Sequence, residues 1–282
     1  MIDLPDKVML KNESIYKRNE MNYIVKTPNF KYKLVVTELL QPLHIKKYIV
    51  GTDKTPCLEL SVFMPDNKDI EHLITEASFY KIDALKECSL TNTETGGFGT
   101  ELLYSIISII KANHPYVKQL SLYDTSYIPC NREDNDTLDL ITYNIALYGK
   151  TWYEMKAGAH LEKNQEKYNK EISKYISLIP RNNFSFRQFY EKMIKNTFAL
   201  NFIHTNLEDI ETKYNTSESF PEFFRYLSNL IPKEHKCKFF KDWLEGFIES
   251  QITIKREWKI NIETNPILND VLNVSKKISI RS

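Results

Sequence analysis

Glycine is scarce in this 282-residue chain, seven in all, yet Gly96, Gly97 and Gly99 fall within four positions. An ordinary chain carries about 7% glycine, so this sequence has concentrated its backbone freedom at one point. Close approach to the backbone is expected there. Before that point, residues 31–38, 44–50 and 57–63 alternate apolar and polar side chains or are β-branched, which predicts consecutive antiparallel strands. A further strand is expected from Ala77 to about Leu90, followed by the polar turn-forming stretch 91–95. After it, Leu102, Leu103, Ile106, Ile107 and Ile110 recur at helical spacing and Ile109 widens the stripe, until Asn113-His114-Pro115 ends the helix. So wide an apolar face calls for burial against a sheet.

A strand, a glycine turn and a helix start, in that order, make an anion site. The first-turn N–H groups lack intrahelical acceptors, the helix dipole favours negative charge, and the missing Cβ lets a phosphate reach the backbone. No lysine follows Gly99, which excludes a P-loop, and Leu102 stands where a dinucleotide fingerprint needs its third glycine. Downstream, residues 116–123 read as a strand and Asp124-Thr-Ser126 as the start of a loop, with Asp124 as a loop cap. A helical pattern from Leu138 through Ile141 and Ile145 breaks at Gly149, and 152–161 reads as a short helical turn and a last strand.

The second half changes character. Residues 163–175 are charged and helical, and three amphipathic segments follow, carrying Phe186/Phe189/Tyr190, Phe223/Phe224/Leu227 and Phe239/Phe240/Trp243/Phe247. Aromatic residues at this spacing form cores rather than cofactor boxes. The expected organisation is an α/β domain over residues 1–164 and an all-α module over 165–282.

Charge narrows the function. Lys+Arg is 38 and Asp+Glu 37, with only seven arginines, so the clustered positive charge of a duplex nucleic-acid binder is missing. The four cysteines show no C-x-x-C spacing and the six histidines no metal spacing; His160, near the expected last strand, is the one histidine to test. Reduced thiols in a cytoplasmic protein, without metal or membrane span, are expected. The excess of lysine over arginine, with frequent Asn, Ile and Tyr, reflects AT-rich coding.

The loop and its setting resemble the GNAT (N-acetyltransferase) superfamily, whose signature [Q/R]-x-x-G-x-[G/A] reads here Glu94-Thr95-Gly96-Gly97-Phe98-Gly99, followed by Thr100-Glu101-Leu102-Leu103. A later tyrosine motif of that family has an echo in residues 146–159, with either Tyr148 or Tyr153 in register. The resemblance spans about residues 30–161. It implies a mixed α+β fold, mostly antiparallel and flanked by helices, that binds acetyl-CoA as co-substrate, with no metal. By the same resemblance, backbone N–H groups of Gly96, Gly97, Phe98, Gly99 and Thr100 would hold the pyrophosphate. Glu87, or Asp83 in second place, would deprotonate an amine acceptor, and Tyr148 or Tyr153 would protonate the leaving thiolate. Glu94 departs from the family, which has Gln or Arg there. Two other readings stay open: a catalytically inactive GNAT-like structural or interaction protein, such as a component of a large DNA virus found in host cytoplasm or virion, and a nucleotide-binding regulator.

Overall fold

The computed structural model describes residues 17–26, 31–41, 44–51, 56–64, 76–82, 98–130, 137–194, 200–241 and 243–268. The fold is mixed α+β. The chain divides into two compact units, residues 1–122 with 260–282, and residues 123–259.

In the first unit, β1 (Lys17–Lys26), β2 (Lys31–Gln41), β3 (Ile45–Gly51), β4 (Pro56–Phe63) and β5 (Glu76–Ile82) pair in sequence order, each antiparallel to the next. In β4, Leu58, Leu60 and Val62 are buried while Glu59 and Ser61 are half-buried, the period-two pattern of a strand with one covered face. Helix α1 (Phe98–Asn113) then carries the chain across to β6 (Gln119–Tyr123). A crossover of that length returns the chain in the same direction, so β6 pairs with β5 in parallel, Glu76 opposite Gln119 through Phe79 opposite Leu122. Leu102, Leu103, Ile106, Ile107, Ile109 and Ile110 of α1 are all fully buried, as the width of the stripe requires. The last neighbour of β6 comes from the far end of the chain, where Ile260 and Ile262 are buried and the Ile262 N–H donates to the Lys118 carbonyl at 2.9 Å.

His114, just past α1, is a core residue of this unit. Tyr116 Oη donates to the Phe63 carbonyl (3.1 Å), so it accepts from His114 Nδ1 (3.0 Å), and Nε2 is left to accept from Tyr48 Oη (2.6 Å). Both ring nitrogens are satisfied in the neutral form. Burial and Lys46 push the His114 pKa down to about 4, against a smaller opposing effect of Glu38, which pairs with Lys46 at 2.7 Å.

The second unit opens with a two-stranded antiparallel sheet, β7 (Tyr127–Pro129) and β8 (Thr137–Asp139). Helices follow in order: α2 (Leu140–Tyr148), α3 (Trp152–Ala157), α4 (Gln165–Ile176), α5 (Pro180–Asn183) and α6 (Phe186–Phe189), which continues as a π-helical turn (Tyr190–Ile194). Then come α7 (Leu200–Thr205), α8 (Leu207–Thr216), α9 (Phe220–Leu230), α10 (Lys233–Lys241) and α11 (Leu244–Glu249), before β9 (Glu257–Asn261). Starts and stops are local. Asp139, Thr151, Ser185 and Ser219 cap N-termini with their side chains, and Gly149 ends α2 at φ +66°, where a Cβ would meet Ile176 Cγ2 at 2.5 Å. The core is aromatic: the Phe189 ring lies 5.0 Å from Tyr214, 5.5 Å from Phe223 and 5.8 Å from Trp243.

Three expectations are corrected. Residues 165–282 are not wholly helical, because β9 buries Trp258 and Ile260 on alternate positions. The expected last strand near residue 161 is a single bridge, His160 to Lys259. The expected reduced thiols are oxidised: Cys130 and Cys237 are disulfide-bonded, as is Cys57, and no described cysteine is free. The 130–237 pair is 107 residues apart in sequence yet 4.9 Å apart between Cα atoms, a proximity that spacing does not reveal. The cytoplasmic expectation, which rested on reduced thiols, loses that support. Among the described residues no helix is long and apolar enough to cross a membrane.

Alkylation of denatured, unreduced protein is expected to leave Cys130 and Cys237 unlabelled, and replacing both by alanine should cost about 2–5 kcal/mol; free thiols at these positions would contradict the pairing. Acidification should destabilise the fold. His114 stays neutral in the folded state while the unfolded chain protonates below about pH 6.5, so its contribution is complete above that pH. The loss, up to about 3 kcal/mol, develops as pH falls from about 6.5 toward the folded value near 4. Chemical denaturation across this range should show it, and His114→Gln should flatten the dependence.

Candidate functional site

In the first unit β5 runs on past the end of its parallel neighbour. The β5–β6 ladder ends, among the described residues, at Phe79 opposite Leu122, while β5 continues against β4 to Lys81 opposite Glu59 and Ile82 opposite Leu58. Leu60 faces Phe79 and Glu59 faces Lys81, so Tyr80 is the extra residue of a β-bulge placed where the ladder to β6 stops. β6 itself ends one residue on, at Tyr123, so the ladder stops where β6 does, and the bulge turns the part of β5 that continues. Past Phe79 the β6-facing edge of β5 has no strand partner among the described residues, and its peptide groups need hydrogen bonds from elsewhere.

The glycine turn lies between that strand and α1. Gly96 and Gly97, with Glu94 and the base candidates Asp83 and Glu87, lie outside the described residues. Phe98 opens α1 two residues before the expected start, and Gly99 and Thr100 complete its first turn, both half-buried. Glu101, also in the first turn, has its pKa raised by burial.

The second unit holds the tyrosine candidates, and their environments differ. Tyr148, the last residue of α2, is 50% exposed, whereas Tyr153 in α3 is 6% exposed with its ring set edge-on to Trp152 at 4.8 Å. Burial, and then the negative charge of Asp124, raise the Tyr153 pKa. Its hydroxyl makes no hydrogen bond to another described residue. Glu154, beside it in the motif, is structural: its Oε2 accepts from the Thr151 N–H at 2.7 Å and from the Tyr168 hydroxyl at 2.8 Å. His160 contributes its backbone to the bridge with Lys259.

Sequence reasoning reads Asp124 as a loop cap only. It follows β6 directly and is 2% exposed. Oδ1 accepts from the Ser126 N–H at 2.9 Å and from the Ser126 hydroxyl, which is the expected loop cap, but Oδ2 is buried without a partner. Arg256 donates to the Asp124 backbone carbonyl at 3.0 Å and pairs with the Asp139 carboxylate. Burial, foremost, raises the Asp124 pKa, and Asp139 adds to it, while Ser126 and Arg256 oppose. The available signal was a carboxylate directly after an apolar strand, but its orphaned oxygen is a tertiary feature. Among the described residues no group of three or more His, Cys, Asp or Glu is placed to hold a metal ion.

No protein-family model, curated protein or solved structure matches this chain.

The burial of Tyr153 is measurable. Near-ultraviolet titration should show Tyr153→Phe matching wild type until the fold is lost, because burial raises the Tyr153 pKa. A wild-type transition missing from Tyr153→Phe before the fold is lost would contradict the burial of its hydroxyl.

Proposed function

We propose that the chain is an acyl-CoA-dependent N-acetyltransferase that moves an acetyl group from acetyl-CoA to an amine. The observation that carries this reading is the edge of β5 past Phe79, which has no strand partner among the described residues, beside the bulge at Tyr80 and ahead, in sequence, of the glycine cluster that leads into α1. The amide-bearing arm of CoA is extended and can pair with a free strand edge as an added strand would. Its pyrophosphate then suits the N-terminus of α1, where Gly96, Gly97, Phe98, Gly99 and Thr100 would present backbone N–H groups.

The chemistry asks little of the protein beyond alignment. A neutral amine attacks the thioester carbonyl, the C–N bond forms as the C–S bond breaks, and the thiolate leaves with a proton. Glu87, or Asp83 in second place, is assigned the proton taken from the acceptor ammonium. Tyr148 or Tyr153 is assigned the proton given to sulfur. A second reading, an inactive GNAT-like structural or interaction protein such as a viral component, is favoured by Glu94, a carboxylate close to the proposed pyrophosphate site.

Thermal unfolding with acetyl-CoA, CoA and ATP distinguishes these readings. CoA and acetyl-CoA should raise the midpoint in proportion to the logarithm of ligand over Kd, and ATP should not. Gly97→Glu should abolish the shift and Glu94→Gln should increase it. One of Tyr148→Phe and Tyr153→Phe should lose turnover while keeping the CoA shift. Binding of acetyl-CoA without transfer to any amine would favour the inactive reading, and no shift with CoA at high concentration would remove the enzyme reading.

A further inference from the structure

The sequence contains four cysteines, Cys57, Cys88, Cys130 and Cys237. Cys130 and Cys237 are bonded to each other, and neither can serve a second partner. Cys57 is also disulfide-bonded, and the structure holds a single chain, so its partner is the cysteine that remains. That cysteine is Cys88, which lies outside the described residues.

The surroundings of Cys57 are compatible with this partner. Cys57 is the second residue of β4 and is 3% exposed, and its neighbour Leu58 faces Ile82, the last residue of β5. Cys88 follows Ile82 by six positions, a length of chain that can reach about 20 Å. It can therefore return to β4 within the roughly 7 Å between Cα atoms that a disulfide permits. Each bridge stays inside one unit: positions 57 and 88 fall within residues 1–122, and positions 130 and 237 within residues 123–259. Both units then carry a cross-link of their own.

We infer that Cys57 is bonded to Cys88, so that the native chain contains no thiol and is completed by a disulfide donor. Each bridge forms by thiol–disulfide exchange. A cysteine thiolate attacks one sulfur of the donor, and the donor's other sulfur leaves as a thiol. The second cysteine then displaces the first donor sulfur from the mixed disulfide. Two cysteine thiols are oxidised and one donor disulfide is reduced to two thiols, so two bridges consume two donor disulfides. Cytosolic thiol pools oppose such bonds, whereas an oxidising compartment sustains them. The pairing is independent of the proposed function, whose acetyl transfer uses no cysteine.

Peptide mapping tests it. Full-length protein prepared without reductant is denatured in N-ethylmaleimide and digested with trypsin before any reduction. The peptides of residues 55–68 and 87–111 should be found linked, should separate on reduction, and should carry no maleimide, as should the pair that holds Cys130 and Cys237. A maleimide on Cys88, a bond from Cys57 to Cys130 or Cys237, or two copies joined through Cys57 would each overturn the assignment. Cys88→Ser should leave Cys57 as the single labelled thiol with the Cys130–Cys237 bond intact. If that variant does not fold, the map of the wild-type chain decides by itself. For the donor, protein reduced while unfolded should regain its native unfolding midpoint when refolded with glutathione disulfide and stay below it without. Equal midpoints under the two conditions would remove the need for a donor.

Discussion

The parallel pairing of β5 with β6 is the constraint on which the first unit turns. Five strands in antiparallel sequence could have continued as a meander with short turns. Instead the chain leaves β5, forms α1, and comes back alongside β5 in the same direction. A crossover needs a helix whose apolar face is wide enough to stay buried, and the leucines and isoleucines of α1 supply it. β6 ends at Tyr123, and β5 continues past the bulge at Tyr80 against β4.

The second unit solves its packing with two contrasting materials. Its interior is a cluster of rings around Phe189, in which the Tyr214 hydroxyl donates to the Pro180 and Phe184 carbonyls. Around Asp124, by contrast, the backbone and side chain are held by Arg256 and Ser126, while Asp139 serves at once as the N-cap of α2 and the partner of Arg256. Arg256 thus joins the residue before β9 to the start of the unit. Such a network fixes Asp124 in place while leaving its Oδ2 without a partner.

Much of this was legible because the signals are local. Period-two alternation marked β2, β3 and β4, and the apolar stripe marked α1 to within two residues of its start. The misses have separate causes. The ten-residue strand β1 carries Asn19, Glu20 and Asn22 among its side chains, so its alternation is weak, and its pairing with β2 along its whole length is a tertiary fact. In β9 the alternation of Trp258 and Ile260 was present, but the helical run before it masked so short a strand. The Cys130–Cys237 bridge and the orphaned Oδ2 of Asp124 depend on residues about a hundred or more positions apart, which no spacing rule connects.

The central claim is that an acyl-CoA lies along the free edge of β5 with its phosphates at the start of α1. Amide hydrogen exchange with and without CoA tests it most directly. The account predicts slowed exchange at residues 80–82 and 96–100, with little change along β1 to β3. Uniform exchange, or protection confined to the second unit, would contradict it.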